Sequence, residues 1–390
     1  MQANHNDNHL SAPHMAGIYI HVPFCQSRCI YCDFYSTLHL DLRQGYVSQL
    51  IREMQDRKEE LPSRARTYHT LYIGGGTPST LPPDQLQRLI GQATSIYPLA
   101  PGAEVTVEAN PDDVTPEWIA MLKDTPVNRV SMGTQTFSDD LLRFLNRRHS
   151  SRQAIRAVHL LQDAGYTNLS IDLIYGIPGQ DKTVWQQDVG QALQLDVPHL
   201  SAYSLMYEEG TALTRLRDAG KIQEADEEHS LWCYEHLCDA LQASGYEHYE
   251  ISNFALPGWH SRHNSSYWEG KPYLGFGAGA HSYDGTNTRR WNECDLKHYV
   301  EHGPTYETEE LSPTDLYNEF VMTRLRTRQG IDLQLLRERF GPGMLRHCME
   351  QAKPHLTVGN LQQTDNILSL TRHGIFVSNQ VMSDLFKETE

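Results

Sequence analysis

The chain runs to 390 residues, 39% hydrophobic and 21% charged, a balance that excludes a disordered or fibrous protein and allows one barrel-sized domain with a smaller one beside it. Its 33 Lys and Arg stand against 49 Asp and Glu, and the net charge of -16 would repel a phosphate backbone, so nucleic acid is not expected as a partner. No run approaches the roughly 18 consecutive apolar residues of a membrane span, and the first basic residue is Arg28, so neither a secretory signal nor an Arg-rich transit segment is expected and the chain reads as cytoplasmic.

Residues 1–16 are polar and aperiodic, the composition of a disordered tail. From Gly17 short apolar runs alternate with longer amphipathic stretches. GIYIHVPF precedes 41–60, TLYIGGG precedes 83–97, and AEVTVEANP precedes 115–123. NRVSMGTQTF then precedes 138–164, LSIDLIYGIPG precedes 181–195, and HLSAYSLMYEEG closes the series. Six βα units over 17–223 predict an α/β domain with a parallel sheet. A closed eight-stranded barrel takes about 250 residues, so a partial, open six-stranded (β/α) barrel fits the length better. Cys25, the Gly74–Pro78 turn, Glu108–Pro111, Gln135, Asp172 and Gly176–Gly179 all fall at strand ends, on the rim where such folds bind ligands.

Residues 224–310 read as a connecting region. A helix over 224–244 stops at Gly245, strand-like YEISNFA follows, and 257–292 is rich in aromatics and glycine. Within it GFGAGAHSY has no surrounding βαβ unit, so its glycines are expected to let strand backbone approach a neighbour rather than to cradle a dinucleotide. From 311 to 390, helices over 313–328, 332–340 and 342–353 and a terminal hairpin suggest an α+β, winged-helix-like domain. Its nine basic and nine acidic residues lack the basic stripe of a DNA reader, which favours a packing or lid role.

Seven cysteines without an export signal point to metal or redox chemistry rather than disulfides. Cys25, Cys29 and Cys32 fall within eight residues after the first strand. A structural zinc site wants four closed ligands and no second Cys-x-x-Cys pair supplies the fourth, although His21 is near enough in sequence to be a candidate. A [4Fe–4S] cubane on three cysteines instead leaves one iron open to an outside ligand.

Cys-x-x-x-Cys-x-x-Cys with Tyr31 before its third cysteine, followed by GGGTP at 74–78, resembles the radical S-adenosylmethionine superfamily. More narrowly, YIHVPFC at 19–25, GGGTPS, VTVEANP at 105–111, VNRVSMGTQTF, NRRH and IDLIYGIPGQ at 171–180 resemble the oxygen-independent coproporphyrinogen III oxidase family, to which the chain is similar from about Tyr19 to the terminal LSLTRHG. The resemblance implies that Cys25, Cys29 and Cys32 hold a [4Fe–4S] cluster. It also implies that Tyr19, Gly75, Gly76, Thr77, Glu108, Gln135, Arg147 and Asp172 line an S-adenosylmethionine site, with Glu108 accepting from ribose hydroxyls, Arg147 facing the methionine carboxylate and Asp172 accepting from a cofactor donor. Read without the resemblance, Glu108 suits a loop cap, Arg147 a surface pair and Asp172 a buried structural hydrogen bond.

Two places divide that family. The oxidases carry a fourth cysteine two residues after the third, where this chain has Phe34, and HNSSYW at 263–268 resembles the HNxxYW signature of its heme chaperone group, HemW. That second resemblance implies a protein that binds heme and hands it to haemoproteins, respiratory ones at the membrane among them, without coproporphyrinogen oxidase activity. It makes His263 a heme-binding residue, with His260 and His281 as other possible iron ligands and Arg262 as a propionate partner. The alternatives are the oxidase itself, decarboxylating coproporphyrinogen III propionates, and a zinc-stabilised binding module. The plain reading of HNSSYW is a turn entering a strand.

Overall fold

The computed structural model describes residues 15–62 and 66–388. Of the expected tail, 1–14 lie outside the described residues, and Ala16 already pairs with Tyr68. The six anticipated strands form: β1 Ala16–Val22, β2 Tyr68–Gly75, β3 Leu99–Ala109, β4 Arg129–Gln135, β5 Asn168–Tyr175 and β6 His199–Ser204. Each pairs in parallel with the next, and the helices between them cover the outer face. Ile18, Ile20, Leu71, Ile73, Val105, Val107, Val130, Leu169 and Ile171 fill the core under those helices. The alternate residues Tyr19, Tyr72, Glu108 and Asp172 face the other way, into the concave side.

The stretch expected to be one helix over 138–164 is two, Asp139–Phe144 and Ser151–Asp163. Asn146 takes a left-handed φ of 59°, which ends the first helix, and Ser150 with Gln153 forms a capping box that starts the second. The break matters for function because it turns Arg147 inward.

The barrel stays open, and residues 224–310 do more than connect. A hairpin of β7 Glu247–Glu250 and β8 Asn253–Ala255 pairs antiparallel with β6. At the other edge β9 Tyr273–Phe276 pairs parallel with β1, followed by β10 His281–Tyr283, β11 Thr288–Asn292 and β12 Tyr306–Glu310. The result is a 12-stranded sheet, ordered β12-β11-β10-β9-β1-β2-β3-β4-β5-β6-β8-β7. The glycines of GFGAGAHSY behave as expected, since a Cβ on Gly275 would lie 1.9 Å from the His281 carbonyl oxygen.

That edge is fastened by a buried ion pair. Arg57 donates to Glu53 at 2.6 Å, to the Gly275 carbonyl at 2.8 Å and to Ser282 Oγ at 2.9 Å. Glu53 in turn accepts from Asn292, Tyr299 and the Gly277 amide. The helix Arg43–Asp56, with Arg57 capping its end, thereby holds four later segments: β9, β10, β11 and the helix Leu296–His302.

The C-terminal domain is winged-helix-like and has its own core, including Tyr317, Phe320, Val321, Leu336 and Leu385. Helix Pro313–Leu325 precedes β13 Ile331–Asp332. The two helices expected at 332–340 and 342–353 form one run, Leu333–Val358, broken at Gly341 with φ 83°. The hairpin of β14 Leu361–Thr364 and β15 Ile367–Leu370 completes a three-stranded sheet. Arg326–Glu250, Arg372–Asp239 and Arg289–Glu319 bridge this domain to the larger one. Among the described residues no helix is long and apolar enough to cross a membrane.

Removing one partner of the buried pair strands the other charge. Arg57→Ala is expected to lower stability by about 3–5 kcal/mol, read from the urea midpoint, while Arg57→Ala combined with Glu53→Gln recovers part of that loss. Equal losses in the single and double variants would count against the pair as the fastener.

Candidate functional site

The carboxyl ends of β1–β6 surround a cavity of about 390 Å³. All eleven residues expected at the cluster and S-adenosylmethionine sites line it: Tyr19, Cys25, Cys29, Cys32, Gly75, Gly76, Thr77, Glu108, Gln135, Arg147 and Asp172.

The cysteine loop is pinned at both ends. The Cys25 amide donates to the Thr37 carbonyl at 2.9 Å and the Ile30 amide to that of Leu145 at 3.2 Å. Cys25 Sγ is 3.6 Å from Thr77 Oγ1, and Arg147 Nη1 donates to Cys29 Sγ at 3.3 Å. Burial raises the Cys25 thiol, and burial with the neighbouring cysteines pushes Cys32 up to about 11, offset in part by the Phe34 amide. Such thiols are poor free nucleophiles and are ionised readily by a bound cation. Among the described residues no three His, Cys, Asp or Glu side chains converge on a point for a single ion. A cubane, which gives each cysteine its own iron, asks for a wider spacing. His21 is engaged elsewhere: its Nε2 donates to the Tyr35 carbonyl at 3.0 Å and its Nδ1 accepts from the Tyr19 hydroxyl at 3.0 Å.

The glycine turn is a cradle. Gly75 has φ 114°, and a Cβ on Gly76 would come within 2.8 Å of Pro23 backbone. Gly74 lies against Glu108, whose carboxylate accepts from the Tyr72 hydroxyl at 2.7 Å and the Gly75 amide at 3.1 Å. Gln135, also left-handed at φ 68°, marks the end of β4. Arg147 is no surface residue. It donates to the Gly133 carbonyl at 2.7 Å and to Asn110 Oδ1, so it stands between the cysteine loop and the β4 rim.

Sequence reasoning passed over Arg129. It is 1% exposed, lines the cavity, and its Nε has no hydrogen-bond partner among the described residues. A buried, unsatisfied guanidinium beside two carboxylates fits a ligand that brings acceptors of its own. Burial pushes Glu108 up to about 7, against the Tyr72 hydrogen bond and with the repulsion of Asp172. Burial likewise pushes Asp172 up to about 6, against its bond from Ser201 and the attraction of Arg129. Tyr72, Asn110, Ser201 and Tyr203 join the lining. A charged residue opening the apolar run RVSM was the one available sign of Arg129. Phe34 and Met206, 66% and 63% exposed, form an apolar rim at the mouth.

HNSSYW is a helix, Arg262–Trp268, not a turn into a strand. Glu104 accepts from the Arg262 and His263 amides at 3.1 and 2.9 Å and fixes its start. His263 is buried beneath the cavity, its Nδ1 2.8 Å from Thr70 Oγ1 and its Nε2 2.8 Å from the Tyr267 hydroxyl. Its ring stacks on Tyr72 at 4.9 Å, and burial lowers it to about 3, so it is neutral. Both ring nitrogens are occupied within the fold, and an iron would have to displace one of these bonds. Asn264 lines the cavity above, whereas His260 lies below it and His281 sits on β10, between β9 and β11.

Comparison with known proteins agrees with this geometry. The model of the radical SAM superfamily matches residues 19–188, and that of the HemN C-terminal domain matches 311–377. The heme chaperone HemW of Lactococcus lactis is 36% identical over 367 residues, 93% of this chain and 95% of that one. The heme chaperone HemW of Bacillus subtilis is 33% identical over 96% of this chain and 100% of its own length. Among solved structures, the coproporphyrinogen III oxidase HemN of Escherichia coli superposes with a TM-score of 0.83 at 21% identity, covering 97% of this chain and 92% of that one, which shows a shared fold.

Because Glu108 holds its proton more tightly folded than unfolded, it detracts from stability as pH rises from about 4.5 through about 7, the window set by its raised pKa. Glu108→Gln should therefore be more stable than the parent at pH 8, by about 1–3 kcal/mol, and the gain should vanish near pH 4.5. Urea midpoints across that range check it, and a gain independent of pH would refute the assignment.

Proposed function

This chain belongs to the HemW family within the radical SAM superfamily, and from that premise we propose that it binds heme in the cytoplasm and delivers it to haemoproteins, respiratory enzymes at the membrane among them. What carries the reading is the end-to-end match to heme chaperones, over 93% of this chain and 95% of the Lactococcus relative. Phe34 at the cavity mouth, in place of the further cysteine expected of an oxidase, supports it.

In this reading Cys25, Cys29 and Cys32 hold a [4Fe–4S] cluster with one iron open, and S-adenosylmethionine fills the 390 Å³ cavity. Bound there, the pair supplies one-electron chemistry or a redox-sensitive structural element. The chain's own part is orientation and charge. Gly75 and Gly76, lacking a Cβ, let the chain's backbone approach the ligand at the end of β2, and Thr77 sits beside Cys25. Glu108 offers its remaining lone pairs to hydroxyls, Gln135 and Asp172 take further polar groups, and Tyr19 forms part of the wall. Arg147, already bonded to Cys29 Sγ, lowers the electron density on that sulfur and faces a ligand carboxylate. Arg129 balances Glu108 and Asp172 within the cavity.

Cys29→Ser should abolish the broad iron–sulfur absorbance near roughly 400 nm. Full iron and sulfide content in that variant would remove Cys29 from the ligand set. The functional test is anaerobic: cluster-reconstituted protein with S-adenosylmethionine, reductant and coproporphyrinogen III, beside an active oxidase. The expected outcome is no decarboxylated product by mass, together with transfer of bound heme to an apo-cytochrome. Repeated turnover would identify an oxidase instead.

A further inference from the structure

A second cavity, about 510 Å³, lies under the sheet on the far side of the HNSSYW helix from the first. Its walls come from three parts of the chain: Met15–Ala16 and His69–Thr70 at the amino ends of β1 and β2, the helix face carrying Arg262, Ser265 and Trp268, and Thr327–Gln329 at the entry to the C-terminal domain. The volume lies within the range of sites for medium-sized organic ligands.

The chemistry of the lining is specific. His260 stacks on Tyr249 at 4.2 Å, and its Nε2 lies 2.9 Å from Glu247 Oε2. In the neutral ring that bond makes Nε2 the N–H and leaves the lone pair on Nδ1, which has no hydrogen-bond partner among the described residues. A histidine oriented by a carboxylate on its other nitrogen is the usual arrangement of a metal-ligating imidazole. Three cations surround the same space: Arg262, whose Nη2 also donates to the Gly102 carbonyl at 2.6 Å, Lys271, paired with Glu269, and Arg328. The pKa of His69 is lowered first by burial and then by Arg262 and Lys271, which places those two charges close to the cavity. Trp268 adds a flat apolar wall, held by the Arg326 guanidinium 4.9 Å over its ring. An imidazole lone pair, aromatic surface and several cations in one cavity match a planar, dianionic metallo-macrocycle.

We propose that this second cavity is where heme is held, with His260 Nδ1 on the iron and Arg262, Lys271 and Arg328 around the propionates, while His263 positions the helix without touching the iron. The assignment rests on the heme-chaperone reading and deepens it by separating the cargo site from the cluster site.

The test titrates ferric heme into the full-length, cluster-loaded protein, read by the Soret difference spectrum and by EPR of the ferric iron. His260→Gly should lose the imidazole-ligated signature and bind about tenfold more weakly, and added imidazole should restore that signature, which a merely structural role would not do. His263→Ala, which loosens the wall helix, should bind heme more weakly yet keep the imidazole-ligated signature in the heme it takes up. Iron protoporphyrin dimethyl ester, which lacks the propionate charges, should bind the parent about tenfold more weakly than heme, and an Arg328→Ala, Lys271→Ala variant, which keeps only Arg262, should show a smaller difference between the two; an undiminished difference counts against the propionate assignment. An unchanged spectrum in His260→Gly, or loss of imidazole ligation in His263→Ala alone, overturns the site while the chaperone reading stands. Failure of the parent protein to take up heme at all overturns both.

Discussion

The interaction on which the functional part of the structure depends is the stack of His263 on Tyr72. Tyr72 is a β2 residue whose hydroxyl holds Glu108 at 2.7 Å, and His263 belongs to a helix more than 190 residues later in the chain. Tyr19 stacks beside both rings at 6.2 and 6.4 Å, and its hydroxyl fixes the tautomer of His21. A column of aromatic rings therefore runs from the floor of the open barrel to the carboxylate at its rim. An open barrel has no far wall to keep its interior side chains in place. Here a short helix, started by Glu104 and bonded through His263 to Thr70, supplies that support from below. Its burial also keeps His263 uncharged, so the column carries no charge into the site.

Charge inside the cavity follows from the same enclosure. Burial makes Glu108 and Asp172 each hold a proton more tightly, and the charge of Asp172 adds to the effect at Glu108. Arg129 is the cation that makes two such carboxylates tolerable, yet its Nε is left without a partner. This is the pattern of a site organised in advance for a polar ligand, its cost in stability offset elsewhere by cores such as the one under β1–β5. Arg147 extends the arrangement to the cysteine loop. It reaches Cys29 only because the chain breaks helix at Asn146 and resumes it at Ser150.

What was legible in the sequence was local. The three-cysteine loop, the glycine turn, six apolar runs with their rim residues and the breaker at Gly341 are each written in a few consecutive positions, and the structure gathers the rim residues of the first five strands around one cavity while Gly176–Gly179 stay outside its lining. What was not legible depends on contacts between distant segments. Nothing in residues 224–310 shows that they split between the two edges of one sheet, because edge choice is set by pairings such as Tyr19 with Gly275 and Leu200 with Phe254. HNSSYW has too few residues for a helical period, and its helix is made by Ser261 and by Glu104 from another strand. Arg129 reads as an ordinary strand-leading charge until the fold buries it. His260 and His281 stand alike in the sequence as alternative iron ligands, and only the fold separates them, by setting Glu247 against His260.

The helix Arg262–Trp268 is a wall shared by both cavities, with Asn264 facing the upper one and Arg262, Ser265, Ser266 and Trp268 the lower. It has little freedom to move for one without moving for the other. Its start is tied to β3 through Glu104, its middle to β2 through Thr70, and its end to the C-terminal domain through the Arg326 guanidinium over Trp268. A ligand above that presses on Tyr72 presses on His263, and through it on the lower wall. Linkage then requires the converse by the same free energy: whatever an occupant of the lower cavity does to this helix returns to Glu108 and the rim. Such coupling between the upper cavity and the lower one needs no long chain of residues here, because one ring-to-ring contact of 4.9 Å joins their walls.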